Sequence, residues 1–379
     1  MITANQKKFL QGNERLATPF QVIDLSVVSE KYSEFKTHLP FAQVYYAVKS
    51  NPEPAVIKKL IERGSCFDTA SIEEIDLVLS LGAAPSQLSY GSTIKKSSAI
   101  KEAFEKGIDL FAVDNPMEMD KIATNAPGAG VYCRILHDGT GSGYPLNHKF
   151  GTTPEDALSL LLLARDKGLK PRGISFHVGS QAKKSAAWVL TLEKIKTIFD
   201  AAEQQGLNLD LINLGGGFPT KYRNSDDVEN LEKMGKDIGA ALHKYFPNKK
   251  LHVLIEPGRG LISEAAISVT EVISRGHKKD SGEWLYIDLG VYNGLFEAID
   301  PTIQHNILPL APHGQETMPM ILAGPTCDSW DTLYGKQTYN LPKDLHEGDR
   351  LMLLNTGSYS GSMSSLNFNG FKPIAVYTI

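Results

Sequence analysis

Cysteine is scarce in this chain of 379 residues. Its three copies, Cys66, Cys133 and Cys327, are far apart and odd in number, so they build neither a disulfide framework nor a CxxC metal site, and a reducing, cytoplasmic setting is expected. An excess of one charge is missing too. The 39 Lys and Arg stand against 43 Asp and Glu, and a formal net charge of -4 gives no footprint for nucleic acid or an anionic membrane. Long apolar runs are absent: ALSLLLLA (157–164) falls far below a membrane span, and the opening MITANQKKFLQG has two lysines with no apolar stretch after them. Neither insertion nor secretion is expected. The histidines show no HxxxH spacing, and no metal site is expected. GTGSGY (139–144) has the glycines of a nucleotide loop but does not join a strand to a helix in a dinucleotide-binding unit, so it reads as a mobile loop over the mouth of a site. No fixed-period repeat, low-complexity tract or Pro/Ser-rich linker divides the chain, and tightly packed domains are expected. Small-molecule chemistry is what these exclusions leave.

What is present is enough apolar material for a sizeable core, 42% of residues against 22% charged. Eight short apolar, β-branched or aromatic runs recur: VYYAV (44–48), CFD (66–68), LSY (88–90), LFAV (110–113), VYCRI (131–135), GISFHV (173–178), LINLG (211–215) and VLIEP (253–257). Helical patterns separate them, such as PAVIKKLIERG (54–64), with Val56, Ile57, Leu60 and Ile61 on one face, SIEEIDLVLSLG (71–82) and the stretch 187–206. Eight βα units are the count that closes a TIM barrel, with an open doubly wound sheet as the runner-up. After residue 265 the pattern turns to strand-like segments without long helices, and TPFQVIDLS (18–26) adds a strand before the barrel. The expected fold is therefore α/β: a TIM (β/α)8 barrel over residues 25–265, with a second, mostly β domain from residues 1–24 plus 266–379.

Barrel enzymes place their chemistry at the C-terminal ends of the strands. Nearly every run here ends in a reactive residue: Lys49 after the first, Asp68 at the end of the second, Arg134 late in the fifth, His177 late in the sixth, Gly215, Gly216 and Gly217 at the seventh, Glu256 at the eighth. Three consecutive glycines in LGGGFPT (214–220) let backbone N–H groups converge on an anion, and EPGRG (256–260) adds Gly258 and Arg259 in the adjacent loop, so the pair reads as a phosphate cradle. A lysine facing such a cradle can form a Schiff base with an aldehyde. Together these suggest pyridoxal phosphate, with Glu256 at the pyridine nitrogen and His177 stacked on the ring.

The segments YYAVKSNP, FDTAS, SFHVGSQ, NLGGGFP, EPGRG, GPTCDSWD (324–331) and NTGSYS…FNGF (355–371) resemble the eukaryotic-type ornithine decarboxylases, fold-type III pyridoxal-phosphate enzymes with an alanine-racemase-like barrel, from about residue 18 to 379. The resemblance implies that Lys49 carries the cofactor, that Glu256 pairs with its ring nitrogen, and that Ser180, Gly217, Gly258, Arg259 and Tyr359 hold its phosphate with His177 on the ring. Asp68, Glu74 and Arg134 resemble supporting polar residues. It further implies a homodimer with shared active sites, in which CDSWD enters the partner's cleft. There Cys327 would protonate the α-carbon after CO2 leaves, Asp328 would bind the substrate's distal ammonium, and Lys149 and Asp331 would tie the subunits. Cys66 and Cys133 lie in apolar runs and read as core, and the two lysines of YGSTIKK (90–96) read as a solvated helix start.

The expected substrate is a small basic amino acid, L-ornithine first, giving putrescine for polyamine synthesis. L-lysine, a dual activity or another ω-amino acid are alternatives, because one methylene gives only about 1–3 kcal/mol of discrimination. The far end of the substrate is read by Asp300, which aligns best with the family's acidic residue, or by Glu297 in GVYNGLFEAIDP (290–301). Asp328, where diaminopimelate decarboxylases carry Glu, argues against that relative. A catalytically silent binder of the antizyme-inhibitor kind is the alternative from another class, opposed by Lys49, the glycine loops and Cys327. A racemase would be expected to place a tyrosine opposite the lysine. With Ile379 directly after the last strand-like run, no tail-dependent degradation of the animal-enzyme kind is expected.

Overall fold

The computed structural model describes residues 2–146, 149–225 and 227–379. The chain divides into two units, Ser29–Pro219 with Asp227–Leu261, and Met1–Val28 with Thr220–Asp226 and Ile262–Ile379. The strand β1 (Phe20–Ile23) belongs to the second unit, and the next eight strands build the first. These are β2 (Ala42–Ala47), β3 (Cys66–Thr69), β4 (Leu88–Tyr90), β5 (Leu110–Val113), β6 (Gly130–Arg134), β7 (Lys170–Ser175), β8 (Leu211–Asn213) and β9 (His252–Ile255). Each pairs in parallel with the next, and β9 pairs back with β2, placing Val253 opposite Ala42 and Ile255 opposite Val44. The sheet closes, which rules out the open doubly wound alternative.

The helices between the strands follow from their residues. Pro54–Glu62 begins on a proline, whose missing N–H costs nothing there, and buries Val56, Ile57 and Leu60. Ile72–Ser80 starts at Ser71, whose side chain accepts from the Glu74 N–H. Ala186–Gln204 buries Trp188, Leu192, Ile195 and Phe199 along one stripe. Alternate residues of a barrel strand face inward. Tyr45, Cys66, Ala112, Tyr132, Leu211 and Leu254 pack together as one buried cluster, the floor of the barrel. Two residues further along the same strands and their ends stand Ala47, Asp68, Arg134, Asn213 and Glu256, so that floor lies directly beneath the rim.

One reading of this unit is corrected. Lys95 does not start a solvated helix: its ammonium is buried 2.9 Å from Glu118 Oε1 and donates to the Ser92 and Ala112 carbonyls at 2.7 and 2.8 Å. Burial pulls its pKa down to about 8, against the support of Glu118. Lys96 alone is exposed and takes the cap position of the helix Ser97–Glu105. The GTGSGY loop is hydrogen-bonded at its far end to the segment after β7. Tyr144 and Ser180 exchange backbone hydrogen bonds of 3.1 and 2.9 Å, and Gly143 N–H donates to the Ser180 carbonyl at 2.9 Å.

The second unit is a mostly β sheet. Its strands are β10 (Ala266–Lys278), β11 (Gly282–Ile287), β12 (Ile307–Pro309), β13 (Thr317–Ala323), β14 (Tyr339–Pro342), β15 (Arg350–Leu354) and β16 (Ala375–Thr378). They run in the order β12-β15-β10-β11-β13-β14, with β1 paired to β10 and β16. An irregularity between Val272 and Ser274 breaks the register of the long strand β10, the place where such a strand bends. Leu285, Ile287, Met320, Leu322, Leu351 and Leu353 supply the apolar core. The sequence also forms an unexpected helix, Ala4–Gly12, begun by a reciprocal cap between Thr3 and Gln6. Among the described residues no helix is long and apolar enough to cross a membrane.

Candidate active site

The barrel rim assembles most of the expected residues. Lys49 sits in the single turn Val48–Ser50 that follows β2. This turn is pinned from both sides: Ser50 Oγ donates to the Ala47 carbonyl at 2.8 Å and to Tyr46 Oη at 3.1 Å, and Ala47 N–H donates to the Pro257 carbonyl at 3.3 Å. Gly258 passes so close that a Cβ there would lie 2.9 Å from Ser50 Cβ.

Asp68, at the inward position near the end of β3, is 5% exposed and accepts from Ser89 Oγ at 3.4 Å. Its room is made by Gly91, where a Cβ would lie 1.9 Å from Asp68 Oδ1. Burial pushes the Asp68 carboxyl well above the ordinary carboxylate range. Glu256 and Glu74 add to that rise, and Lys49 and Arg134 oppose it. The half-buried Glu74 is also pushed up by burial, although its Oε2 accepts from Ala70 N–H at 2.7 Å. Arg134 ends β6 with its guanidinium 5.5 Å from the Phe150 ring.

His177 follows β7. Burial, then the cations of Arg134 and Lys49, hold its pKa well below the usual imidazole value. The ring is therefore neutral near pH 7. Its Nδ1 accepts from Gly179 N–H at 3.0 Å, which leaves the proton on Nε2. Glu256 continues β9, and Asn213 Nδ2 donates to its Oε1 at 2.5 Å. Asn213 Oδ1 in turn accepts from Gly215 N–H at 2.9 Å, so one amide orients both the carboxylate and the glycine loop. Asn213 was not singled out in the sequence, although a polar residue at an inward position of an apolar run is a signal.

The loop Gly215–Gly217 is packed to backbone distance. Gly217 has φ 96, and a Cβ on it would meet the Gly179 carbonyl oxygen at 2.4 Å. Trp188 stacks on Phe218 with centroids 4.8 Å apart and donates through Nε1 to the Leu214 carbonyl at 3.1 Å, which fixes the loop from behind. Beside it Arg259, 4% exposed, donates through Nη2 and Nε to Ser180 Oγ at 3.1 and 3.3 Å.

These residues fit pyridoxal phosphate. A buried cation and a hydroxyl adjoin a glycine loop for the phosphate. A Cβ on Gly216 would lie 3.0 Å from His177 Nε2, so the space beside that ring exists only because residue 216 is glycine. A fixed carboxylate shares the rim with a lysine. Among the described residues no cluster of three His, Cys, Asp or Glu side chains could hold a metal ion.

The other expected residues, Lys149 apart, lie in the second unit. Cys327 is exposed, and its N–H donates to Asn369 Oδ1 at 2.9 Å. Asp328 accepts from Tyr292 Oη at 2.9 Å and Trp330 N–H at 2.9 Å, and the Tyr292 ring packs 4.4 Å from Phe368. Asp331 is 2% exposed and accepts from Val291 N–H (2.7 Å), Thr326 N–H (3.0 Å) and Thr326 Oγ1 (2.8 Å), an internal role the sequence did not signal. Lys149 lies 5.0 Å from the Phe150 ring in the first unit. Glu297 belongs to the turn Phe296–Ile299, and Asp300 accepts from Thr302 N–H at 2.7 Å. Tyr359 has φ 56, a left-handed backbone for a non-glycine residue.

Comparison with known proteins gives the same direction. Residues 25–263 match the family model described as pyridoxal-dependent decarboxylase, pyridoxal binding domain. A lysine/ornithine decarboxylase of Selenomonas ruminantium is 38% identical over 361 residues, 94% of this chain and 88% of that protein. Antizyme inhibitor 2 of Xenopus laevis is 33% identical over 373 residues, 94% of this chain and 80% of its own. A crystal structure of lysine/ornithine decarboxylase from Vibrio vulnificus, complexed with cadaverine, superimposes with a TM-score of 0.89 at 28% identity, covering 100% of both chains.

Proposed function

The chain belongs to the pyridoxal-dependent decarboxylases, and from that premise we propose that it removes the α-carboxyl group of L-ornithine, with L-lysine as a second substrate. The observation that carries the reading is the Glu256 carboxylate, fixed by Asn213 on the same barrel rim as Lys49. Bound pyridoxal phosphate supplies a conjugated ring that takes up the electrons left on the α-carbon when CO2 departs.

The chain's residues divide the remaining work. Lys49 binds the cofactor's aldehyde carbon through its amine. Glu256 keeps a proton on the pyridine nitrogen, and Asn213 holds that carboxylate in line. Ser180, Arg259 and the Gly215–Gly217 loop bind the phosphate, with Gly258 and Tyr359 assigned to the same end. His177, neutral, lays its ring against the cofactor. Asp68, whose carboxyl burial pushes well above the ordinary carboxylate range, and Glu74 stand beside Lys49, while the Arg134 cation opposes the rise at Asp68. Cys327 moves a proton to the α-carbon, and Asp328 takes the substrate's distal ammonium with Asp300 or Glu297. On this reading two chains pair, and the Cys327–Asp331 segment of each completes the other's cleft.

The lysine activity is favoured by the Selenomonas relative, which bears both substrates in its name. The measurement is CO2 release by the cofactor-loaded protein from L-ornithine and L-lysine, compared as kcat/KM. An ornithine value equal to or above that for lysine supports the reading. A preference for lysine of tenfold or more reverses the order of substrates. No CO2 from either overturns it, in favour of a silent binder like the Xenopus antizyme inhibitor.

A further inference from the structure

The loop that leaves β4 carries a buried ion pair that the division of work above does not use. Immediately after the strand, the backbone at Gly91 crosses Asp68. Gly91 N–H donates to the Thr69 carbonyl at 2.9 Å, and a Cβ on Gly91 would lie 1.9 Å from Asp68 Oδ1. Gly91 is therefore a wall of the Asp68 site with no slack in it. A small shift of the loop inward presses on that carboxyl, and a shift outward lets water reach it.

What holds this wall lies away from the rim. One residue on, the Ser92 carbonyl accepts from the Lys95 ammonium at 2.7 Å, and the same ammonium donates to the Ala112 carbonyl of β5 at 2.8 Å. Lys95 thereby ties the loop after β4 to the neighbouring strand. Glu118 supplies the counter-charge, with Oε1 2.9 Å from the ammonium and Oε2 2.5 Å from Lys121 Nζ. Lys121 in turn donates to the Lys95 carbonyl. The helix Pro116–Asn125 thus grips residue 95 by its side chain and by its backbone. That helix is itself fixed at its start, where Asn115 Oδ1 accepts from Glu118 N–H at 2.9 Å.

A buried ammonium is a costly way to hold a turn. Both side chains of the pair are within 2% of full burial, and apolar residues of similar volume hold a fold as well or better. An apolar residue cannot, however, donate to two carbonyls at once. The pair therefore serves placement rather than stability, and the part it places is the wall against Asp68.

We propose that Lys95 is a positioning residue for the decarboxylation: its ammonium, held by Glu118, clamps the Ser92 and Ala112 carbonyls together, keeps Gly91 against Asp68 and so fixes that carboxyl beside Lys49. The inference rests on the reading that Asp68 serves the Lys49 site.

The test begins with the paired replacement Lys95→Met and Glu118→Leu, which removes both charges and strands neither of them in the interior. In the cofactor-loaded protein, turnover of L-ornithine and L-lysine is measured per bound cofactor, and the cofactor's absorbance is recorded without substrate. We expect a melting temperature within about 5 °C of the wild type. Against that, kcat falls about tenfold with KM within about twofold, and the absorbance changes. The same pair is then placed in an Asp68→Asn chain. There it should lower kcat by less than about twofold more and leave the absorbance of Asp68→Asn as it was, because the clamp has no carboxylate left to place. Glu118→Gln keeps the shape and weakens the clamp by one charge, so it should give the same changes to a smaller extent, and it serves as the test where the paired replacement does not fold. Wild-type kcat and absorbance in the variants that fold overturn the proposal. So does a loss confined to melting temperature, or a loss of kcat that multiplies in full with that of Asp68→Asn. If the wild-type chain releases no CO2 from either amino acid, the substrate reading fails, yet the absorbance comparison still decides the role of Lys95.

Discussion

Asp68 shows most plainly how single residues carry the cost of this site. Burial, first, and the neighbouring carboxylates raise its pKa in the folded chain, so the folded state holds a proton that the unfolded chain releases near the ordinary value of about 3.9. Stability from this group is therefore complete below that value and is lost as pH rises toward the folded pKa. Asp68→Asn should raise the melting temperature of the cofactor-free protein, by more at pH 8 than at pH 5, while lowering decarboxylation. Melting curves at the two pH values check the sign. An equal gain at both would mean that the carboxyl is not protonated in the fold.

At the scale of elements, the glycine loop after β8 depends on the helix behind it. Trp188 is fully buried, stacked on Phe218 and bonded to the Leu214 carbonyl. Trp188→Ala should cost about 3–5 kcal/mol of stability, measured by denaturant unfolding, and weaken cofactor binding besides. Gly217→Ala should weaken binding with a smaller loss of stability, because its Cβ meets the Gly179 carbonyl oxygen. Equal cofactor affinity in both variants and the wild type would remove the loop from the phosphate site. The barrel was legible because its eight apolar runs are local and end in reactive side chains. Lys95 was not legible, since adjacent lysines look alike until one folds toward Glu118. The helix Ala4–Gly12 escaped for another reason: its one buried residue is Gln6, which donates to the Ala265 carbonyl, so no apolar stripe marks it.

For the molecule as a whole, the strand-like segments after residue 265 announced a β unit but not its order. Pairing β10 with β1 and β15 is set by contacts distant in sequence, and the short strands β12 and β14 carry little pattern. The exposed thiol of Cys327 motivates a test at this scale. Co-expressed chains bearing Lys49→Ala and Cys327→Ala, each inactive alone, should recover about a quarter of wild-type turnover, since half the dimers are mixed and one of their two clefts is intact. Doubly tagged, purified mixed dimers without activity would sink the shared-cleft proposal.

The packed floor of the barrel has one more consequence, for traffic. With Tyr45, Cys66, Ala112, Tyr132, Leu211 and Leu254 filling the axis below the rim, the barrel has a single door. An amino acid cannot be fed in from one end while its products drain from the other. Carbon dioxide and the amine product must leave by the route the substrate took. Turnover is then a queue, in which a slowly departing amine product bars the next molecule, and added product should act as a competitor of the substrate.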